Sequence, residues 1–467
     1  MLALILFIYF VSFTDKPMPD TPALSPRAVA QRAKWQIATD ALDYPVDAGY
    51  LDSLRHMGVK VHHTSRWFNG ATCEMSESKA AQVAQSGFVK DVEMTRDGSD
   101  PIYSRRKRLR QQSEVGVQPV VNWTDAQLDL YNLKPLHQAG FEGQGILMTV
   151  CDGGFCNADT MSCFRQDSLE EGHFDFTDDT DDFYGWQGAH GTECLSVISG
   201  ITPGFRGAAT QARYYLMRSE EYVTESPKEM DNLVAALETA DSLGVNVFSV
   251  SLGYLYFDQG EWSLSPYDMD GRQTRVSLAA TIAARKGMLV CVAAGNEGYN
   301  PVNNLNSPAD ADSILTVGAV GTDSVIANFS SSGPSADGRV KPDVCAVGYQ
   351  TTLIYPDGKI VRNNGTSFAT PLIAGMAATL WSALPNENAM QIRERIIRSA
   401  NRYQTPDTYR NQYGYGIPDA WLAYTMDIPM GATHIPSAVR TQKVLRNGQI
   451  MLLYDGRMYD IFGRKTE

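Results

Sequence analysis

The chain has 467 residues, of which 43% are hydrophobic and 20% are charged. These values are typical of a soluble globular protein, and the length is too great for one ordinary domain. The formal net charge of -13 argues against nucleic acid as the main partner, because phosphate binding requires a positive surface.

The only strongly apolar run is MLALILFIYFVSF at residues 1–13, so no membrane span is expected in the mature protein. This run resembles the apolar core of a secretory signal peptide, but it lacks a basic start and a small-residue cleavage site. We interpret residues 1–13 as a partial signal segment that overlaps the first strand of the next domain, at Tyr9 to Phe13. A wrongly assigned start codon is the alternative.

Residues 9–96 are predicted to form a small α+β domain. The pattern gives strands at 9–13, 59–63, 67–74 and 88–94, and helices at 50–57 and 77–85, with a further helix capped by Ser25 and opened by Pro26. This order is compatible with a ferredoxin-like sandwich. His62 and His63 are interpreted as lying on solvated strand faces, because no third metal ligand is near in sequence.

Residues 97–122 are predicted to be a linker. They contain Gly98, Pro101 and the basic run SRRKRLR at Ser104 to Arg110. Exposed polar segments of this kind are favoured sites of proteolysis. The run is equally well explained as an activation segment and as a solvated linker.

Residues 123–430 alternate apolar strands with helical patterns. Three apolar runs, at 146–155, 245–253 and 288–298, reach glycines, and the helical stretches 230–244 and 276–287 lie between them. Such alternation predicts a mainly parallel sheet with helices on both faces. Active sites in this α/β architecture form at the carboxyl ends of the strands, where Asp152, Ser251 and Asn296 are placed.

Residues 436–467 differ from the rest. Asn447-Gly448 and Asp455-Gly456 separate apolar runs, and these dipeptides are strong hairpin signals. We predict a short antiparallel β module, which is too small to bury a core alone and must pack on the main domain or serve a partner.

Three segments in the order Asp, His, Ser carry a family resemblance. They are ILMTVCDGGF around Asp152, GAHGTECLSVISG around His190 and NGTSFATPLIAGMAA around Ser367. With SVSLG at 249–253, AAGNEG at 293–298 and FSSSGPSADGRVKPDVCAVG at 329–348, they resemble the subtilisin-like serine peptidases over most of residues 123–424.

The resemblance implies a subtilisin-like α/β fold and a specific site. Asp152, His190 and Ser367 would be the catalytic triad, and Asn296 would line the oxyanion hole. The residues that bind substrate would be Ser251, Leu252, Gly253, Ala293, Ala294 and Gly295.

Elementary chemistry supports the same catalytic roles. The Ser367 hydroxyl is a weak nucleophile and needs a base, which a neutral imidazole at His190 supplies near pH 7. Asp152 would fix the imidazole tautomer and stabilise its positive charge. The Ser367 amide at a helix start and the Asn296 side chain would face the developing oxyanion.

The resemblance also predicts the biology. It implies a secreted or cell-envelope serine endopeptidase, made as a zymogen, that cleaves proteins or peptides and is inhibited by its own propeptide at residues 9–96. A catalytically silent binding protein of the same fold and an esterase with the same triad are the alternatives. The C-terminal module resembles the hairpin modules of some secreted envelope peptidases, including type IX sorting domains; simple packing is an equal alternative.

No cofactor is expected. The acidic run DFTDDTDD at Asp175 to Asp182 offers hard oxygen ligands for calcium, but it lacks EF-hand spacing, so a solvated loop is favoured. Among the seven cysteines, Cys156 and Cys163 are the best local candidates for a disulfide. Three others lie in apolar stretches and are interpreted as small buried hydrophobic residues: Cys151, Cys194 and Cys291. His137 and His173 are interpreted as structural or surface residues.

Overall fold

The structure is a computed structural model of the chain. It describes residues 6–97, 113–114, 122–164, 170–177, 182–221, 225–258, 262–299, 304–405, 409–427, 442–446, 449–454 and 457–459. The chain divides into two compact units, Met1–Met426 and Asp427–Glu467. Within the described parts of the chain, no helix is both long enough and apolar enough to cross a membrane.

The N-terminal domain, residues 6–97, is a four-stranded sheet with three helices. Its strands are β1 (Phe7–Phe13), β2 (Lys60–Ser65), β3 (Gly70–Met75) and β4 (Val89–Arg96), and its helices are α1 (Pro26–Trp35), α2 (Ala48–His56) and α3 (Glu77–Val83). The order β2-β3-β1-β4 is antiparallel throughout. This is the ferredoxin-like arrangement expected from the sequence.

The helix predicted at residues 50–57 begins earlier, at Ala48, because Asp47 caps it by accepting a hydrogen bond from the Tyr50 amide. The Ser25 cap and the Pro26 start of α1 are confirmed. β1 lies inside the sheet, and Val11 and Phe13 are buried in its core. The part of the apolar N-terminal run from Phe7 onward is therefore a core strand, and residues 1–5 lie outside the described residues.

The prediction that His62 and His63 lie on solvated strand faces is wrong. The His62 side chain is only 4% exposed, and its Nε2 lies 3.0 Å from Glu74 Oε2 on the neighbouring strand β3. His63 Nε2 lies 2.7 Å from the carbonyl oxygen of Phe176, in the following domain. β2 thus packs against a second domain, which sequence periodicity within residues 9–96 cannot show.

The second domain, residues 122–426, is built on a seven-stranded sheet. Its strands are β6 (Leu147–Asp152), β7 (Glu170–Asp175), β10 (Arg213–Arg218), β11 (Val247–Val250), β12 (Leu289–Ala293), β13 (Leu315–Val320) and β14 (Val344–Val347), in the order β14-β13-β12-β11-β6-β10-β7. Every neighbouring pair is parallel. The predicted parallel sheet is confirmed.

Helices cover both faces of this sheet. The helices are α4 (Asp125–Asp129), α5 (Lys134–Gln138), α6 (Ala189–Ser199), α7 (Pro227–Leu243), α8 (Arg275–Arg285), α9 (Thr366–Ala383), α10 (Ala389–Arg398), α11 (Arg410–Tyr413) and α12 (Ala420–Thr425). Side chains of α6 and α9 belong to one buried apolar cluster, and those of α7 and α8 belong to another. The sheet therefore separates two cores, as continuous apolar strands require.

Short antiparallel strands complete this unit. β8 (Ile201–Thr202) pairs with β9 (Phe205–Arg206), and β15 (Thr351–Ile354) pairs with β16 (Ile360–Asn363). β5 (Ser113–Glu114), from the predicted linker, pairs with β16. The basic run at 104–110 lies outside the described residues.

The C-terminal unit contains a three-stranded antiparallel meander. Its strands are β17 (Gln442–Arg446), β18 (Gln449–Tyr454) and β19 (Arg457–Tyr459). The predicted strands are therefore present. The turn dipeptides at 447–448 and 455–456 lie outside the described residues.

The candidate disulfide between Cys156 and Cys163 is absent, since both cysteines are free. The Cys156 amide donates to Gly188, just before α6, while the Cys163 carbonyl accepts from Ile201, just after it. The 11 residues of α6 span about 16 Å at 1.5 Å per residue. A disulfide requires Cα atoms within about 7 Å, so the two ends of this helix hold the cysteines too far apart.

All seven cysteines are free and buried. We predict that alkylation of the unfolded chain without reductant modifies seven thiols, and that prior reduction adds no further site. Intact mass measured on both samples checks this. A matched sample alkylated while folded serves as control and should react less, because burial raises the pKa of thiols such as Cys73, to about 12. A lower thiol count without reductant would show a disulfide.

Candidate active site

The carboxyl end of β6 and the start of α6 bring Asp152 and His190 together. Asp152 is the last residue of its strand and is 1% exposed. Its Oδ1 lies 2.7 Å from His190 Nδ1 and accepts a hydrogen bond of 2.8 Å from the Gly153 amide. A buried carboxylate on Nδ1 leaves Nε2 of the same imidazole as the atom able to accept a proton.

Glycines allow this approach. A Cβ atom on Gly188 would lie 2.4 Å from the carbonyl carbon of Gly154, and one on Gly191 would lie 2.2 Å from the Gly154 oxygen. Gly154 itself has a φ of 131°, which favours glycine. The loop after β6 and the first turn of α6 can therefore touch only because side chains are missing from both.

Ser367 is the second residue of α9 and is buried. Its Oγ donates to the carbonyl oxygen of Ser251 at 3.3 Å, while Ser251 Oγ donates to the Ser367 carbonyl at 2.7 Å. This reciprocal pair fixes the start of α9 against the segment that follows β11.

Cys194 joins the two sides of the site. Its Sγ lies 4.0 Å from His190 Nε2 and 3.3 Å from the carbonyl oxygen of Ser367. The His190 and Phe368 rings are also 5.6 Å apart between centroids. The structure thus gathers Asp152, His190 and Ser367 around one fully buried thiol. The sequence signal for this contact was the four-residue spacing of His190 and Cys194 on one helix face.

Asn296 follows β12 and faces the start of α9. Its Oδ1 accepts hydrogen bonds from the Thr366 amide at 2.9 Å and from Thr366 Oγ1 at 3.0 Å. The amide nitrogen Nδ2 is the other polar atom of the Asn296 side chain. Glu297 Oε2 accepts a hydrogen bond of 2.7 Å from the Asn296 backbone amide, and burial raises the pKa of the Glu297 carboxyl.

The residues expected to bind substrate lie on neighbouring strands. Ser251, Leu252 and Gly253 follow β11, Ala293 ends β12, and Ala294 and Gly295 follow it; β11 and β12 are paired. Leu252 and Gly253 are partly exposed, whereas the Ala294 side chain is fully buried in the apolar cluster of α7 and α8. The Ala294 amide donates to the Val317 carbonyl at 3.0 Å, and the Ala294 carbonyl accepts from the Asn306 amide at 3.2 Å, so its backbone is also engaged within the protein.

One buried pair near the site was missed by sequence reasoning. Glu193, one turn after His190, accepts a hydrogen bond of 2.9 Å from Asn363 Nδ2, and both side chains are buried. Asn363 ends β16 and, through its Oδ1, accepts from the Asn364 amide at 2.9 Å. The helix of the candidate base is thereby tied to the loop that leads to Ser367.

Two groups of acidic, His or Cys side chains could hold a metal among the described residues. One is Asp152, His190 and Cys194, and the other is Glu220, Glu225 and Glu229. In the second group, Glu220 accepts a hydrogen bond from Tyr254 at 2.7 Å, and Glu229 accepts one from the Glu221 amide at 2.7 Å. In the acidic run Asp175 to Asp182, which offers oxygen ligands for calcium, Asp175 pairs with Arg218. Residues 178–181 of this run lie outside the described residues.

A family model described as the subtilase family matches residues 136–416, which is more than half of the chain. The chain belongs to the subtilase family. As the motifs predicted, this subtilase is a subtilisin-like serine endopeptidase. A second model, described as the peptidase S8 propeptide domain of Bacteroidota, matches residues 8–113, so the N-terminal domain is a propeptide domain.

Curated relatives and solved structures agree with the family. The chain is 26% identical over 307 residues to the thermostable alkaline protease of Halalkalibacterium halodurans, covering 65% of this chain and 75% of that protein. It is 28% identical over 268 residues to subtilisin E of Bacillus subtilis, covering 57% and 63%. The crystal structure of MycP1 from Mycobacterium smegmatis matches with a TM-score of 0.54 at 24% identity, over 68% of this chain and 90% of that one; this likeness concerns the fold.

We predict that Gly191→Ala abolishes most peptidase activity, because the added Cβ would collide with the Gly154 carbonyl and displace His190 from Asp152. Gly153→Ala is the matched control: it stands next to Asp152, and its Cβ would meet nothing closer than 3.6 Å. Turnover of a peptide substrate and thermal unfolding should be measured for both. Equal activity in the two folded variants would contradict the close-approach argument.

Proposed function

We propose that this subtilase is a secreted or cell-envelope endopeptidase zymogen that cleaves proteins or peptides through an acyl-enzyme on Ser367. The hydrogen bond of 2.7 Å between Asp152 and His190, beside Ser367 at a helix start, carries the proposal. It gives the His190 base a fixed tautomer. The Cys194 thiol, 4.0 Å from His190 Nε2 and 3.3 Å from the Ser367 carbonyl, brings this base to the residue that carries the hydroxyl. A base and a hydroxyl together are the requirement for serine nucleophilic catalysis.

The proposed reaction has two halves. The Ser367 oxygen attacks the carbonyl carbon of the scissile peptide bond while its proton moves to His190 Nε2, and Asp152 stabilises the imidazolium. The tetrahedral intermediate collapses, the C–N bond breaks, and His190 protonates the leaving amine. Water then attacks the ester, losing its proton to His190, and collapse frees the acid product and restores the Ser367 hydroxyl.

Negative charge develops on the former carbonyl oxygen in both halves. We assign its stabilisation to the Ser367 backbone amide and to the Asn296 side-chain amide. The first turn of a helix has unpaired amides and a positive dipole end. Thr366 supports Asn296 by donating to its Oδ1 from both its amide and its hydroxyl.

The propeptide domain supports synthesis as a zymogen. An inhibitory domain that covers a peptidase until it is cut away allows the chain to be exported without digesting its surroundings. The linker at 97–122, with its basic run, is the proposed place of cleavage. Small and uncharged residues at 251–253 and 293–295 favour a substrate pocket for an uncharged side chain.

We predict that purified wild type loses its propeptide at neutral pH, with a new N-terminus between about residues 96 and 122, whereas Ser367→Ala stays full length. N-terminal sequencing and intact mass check this. A fluorophosphonate probe should label the wild type and not Ser367→Ala. Turnover of casein compared with turnover of a short-chain ester separates a peptidase from an esterase, because an esterase would leave casein intact. If both chains stay full length and unlabelled, the fold is catalytically silent.

We predict that Asn296→Ala lowers kcat by about 10²–10³ with little change in KM, as loss of the equivalent donor does in subtilisin. Steady-state kinetics on a peptide substrate measures this. Thr366→Ala is the control, because it removes the hydroxyl contact to Asn296 and leaves the side-chain amide in place. An equal loss in both variants would assign Asn296 a structural role instead of a direct one.

A further inference from the structure

The propeptide domain has a long segment between β1 and α2, residues 14–47, that we call the arm. It contains α1 and one short turn at residues 41–43. No residue of the arm, which the structure describes in full, belongs to a strand of the propeptide sheet, although Lys16 donates to the Arg66 carbonyl at 2.6 Å. The arm helix α1 lies against the peptidase domain. The Ser25 amide donates to the Ser242 carbonyl at 2.8 Å, and Arg27 donates to the Gly244 carbonyl at 3.0 Å and to Asn246 Oδ1 at 2.8 Å.

Two buried ionic contacts lie at the centre of the arm. Arg32 donates to both oxygens of Asp241 on α7, at 2.7 and 2.8 Å, and also pairs with Asp43 within the arm. Lys286, directly after α8, reaches back to Asp40 at 2.8 Å and to Asp43 at 2.9 Å. Removing either cation leaves a buried carboxylate with less charge compensation, which is destabilising.

The arm binds far from the nucleophile. Asn246 immediately precedes β11, at the amino edge of the sheet, whereas Asp152 ends β6 at the carboxyl edge; the six residues of β6 span about 16 Å. Lys34 donates to the Pro385 carbonyl at 2.6 Å, beyond the end of α9. Ser367 is the second residue of this helix of 18 residues, so about 24 Å separate it from the last residue, Ala383.

The propeptide sheet and the turn after β2 bind the peptidase domain next to the arm. Arg66 donates to Asp241 Oδ2 at 2.6 Å, on the same carboxylate that Arg32 binds. Ser65, Arg66 and Trp67 all donate to the Glu238 carboxylate on α7. Arg275, which starts α8, pairs with Glu93 of β4 and stacks over the Phe10 ring at 4.3 Å. The two contact areas therefore meet at Asp241, and the arm extends the interface from there to the edge opposite the nucleophile.

We propose that the arm is a second anchor that keeps the cleaved propeptide on the peptidase domain and delays the onset of activity. A cut in the linker removes the covalent connection but none of the arm contacts. Two connected contact sites also rebind faster than either alone, since each holds the other at high effective concentration. The proposal extends the proposed zymogen function, yet the binding itself requires no catalysis.

The test uses the full chain as Ser367→Ala, with a recognition sequence for a specific foreign protease placed within residues 98–112. After cleavage, size exclusion over a dilution series measures how much propeptide stays with the peptidase domain. Arg32→Ala and Lys286→Ala should weaken retention on the order of a hundredfold. Lys286→Ala leaves the propeptide sequence unchanged, so misfolding of the propeptide cannot explain its effect.

Matched controls come from exposed neighbours. Arg55→Ala changes an exposed ion pair with Asp52 elsewhere in the propeptide, and Arg285→Ala changes the exposed residue beside Lys286. Both should retain the propeptide like the parent. The anchor is refuted if the cleaved parent separates at once, or if both arm variants retain the propeptide as tightly as the controls.

The second part of the proposal, that the arm delays the onset of activity, is tested in the chain that carries Ser367. Lys286→Ala should shorten the lag between linker cleavage and full peptidase activity, whereas Arg285→Ala should not. An unchanged lag in Lys286→Ala would refute the proposal that the arm delays activity. A wild type that never becomes active would instead refute the proposed catalysis, and the binding result with Ser367→Ala would stand apart from it.

Discussion

The contact between α6 and the loop after β6 is the constraint on which the candidate site depends. Asp152 lies at the end of a strand and His190 at the start of a helix, and side chains in the intervening loops would keep these elements apart. Gly154, Gly188 and Gly191 remove that obstacle. Once the backbones touch, an Asp152 carboxylate that is almost fully buried has the His190 imidazole within hydrogen-bond distance.

The other half of the site is fixed by separate elements. The position of Ser367 is set by α9, which packs against one face of the sheet. It is also set by two hydrogen bonds that Ser367 and Ser251, after β11, exchange with each other. Glu193 and Asn363 then connect α6 with the strand that leads into α9. The base His190 and the nucleophile Ser367 are thus positioned by side-chain hydrogen bonds between elements that are distant in sequence. A shift of either α6 or α9 would therefore change the positions of both residues.

The sequence predicted the parallel sheet, the ferredoxin-like order and the strand-end positions of Asp152 and Asn296, because apolar periodicity and glycine placement are local signals. Contacts between domains are not local. For that reason His62 and His63 were misjudged, since β2 packs against residues more than 100 positions away. The Cys156 and Cys163 prediction failed for a related reason: short spacing in sequence says nothing about the helix that separates the two anchoring points.

The ionic nature of the propeptide interface has a consequence for the order of synthesis. Ser65 and its partner Glu238 are 173 residues apart in sequence, so the propeptide leaves the ribosome well before α7 exists. At about 5–20 residues per second, the interval is roughly 9–35 s. During that time Arg32 and Arg66 lack Asp241, the carboxylate on α7 that both bind in the folded protein. A charged docking surface stays hydrated before α7 is synthesised, whereas an exposed apolar surface of the same size would promote aggregation.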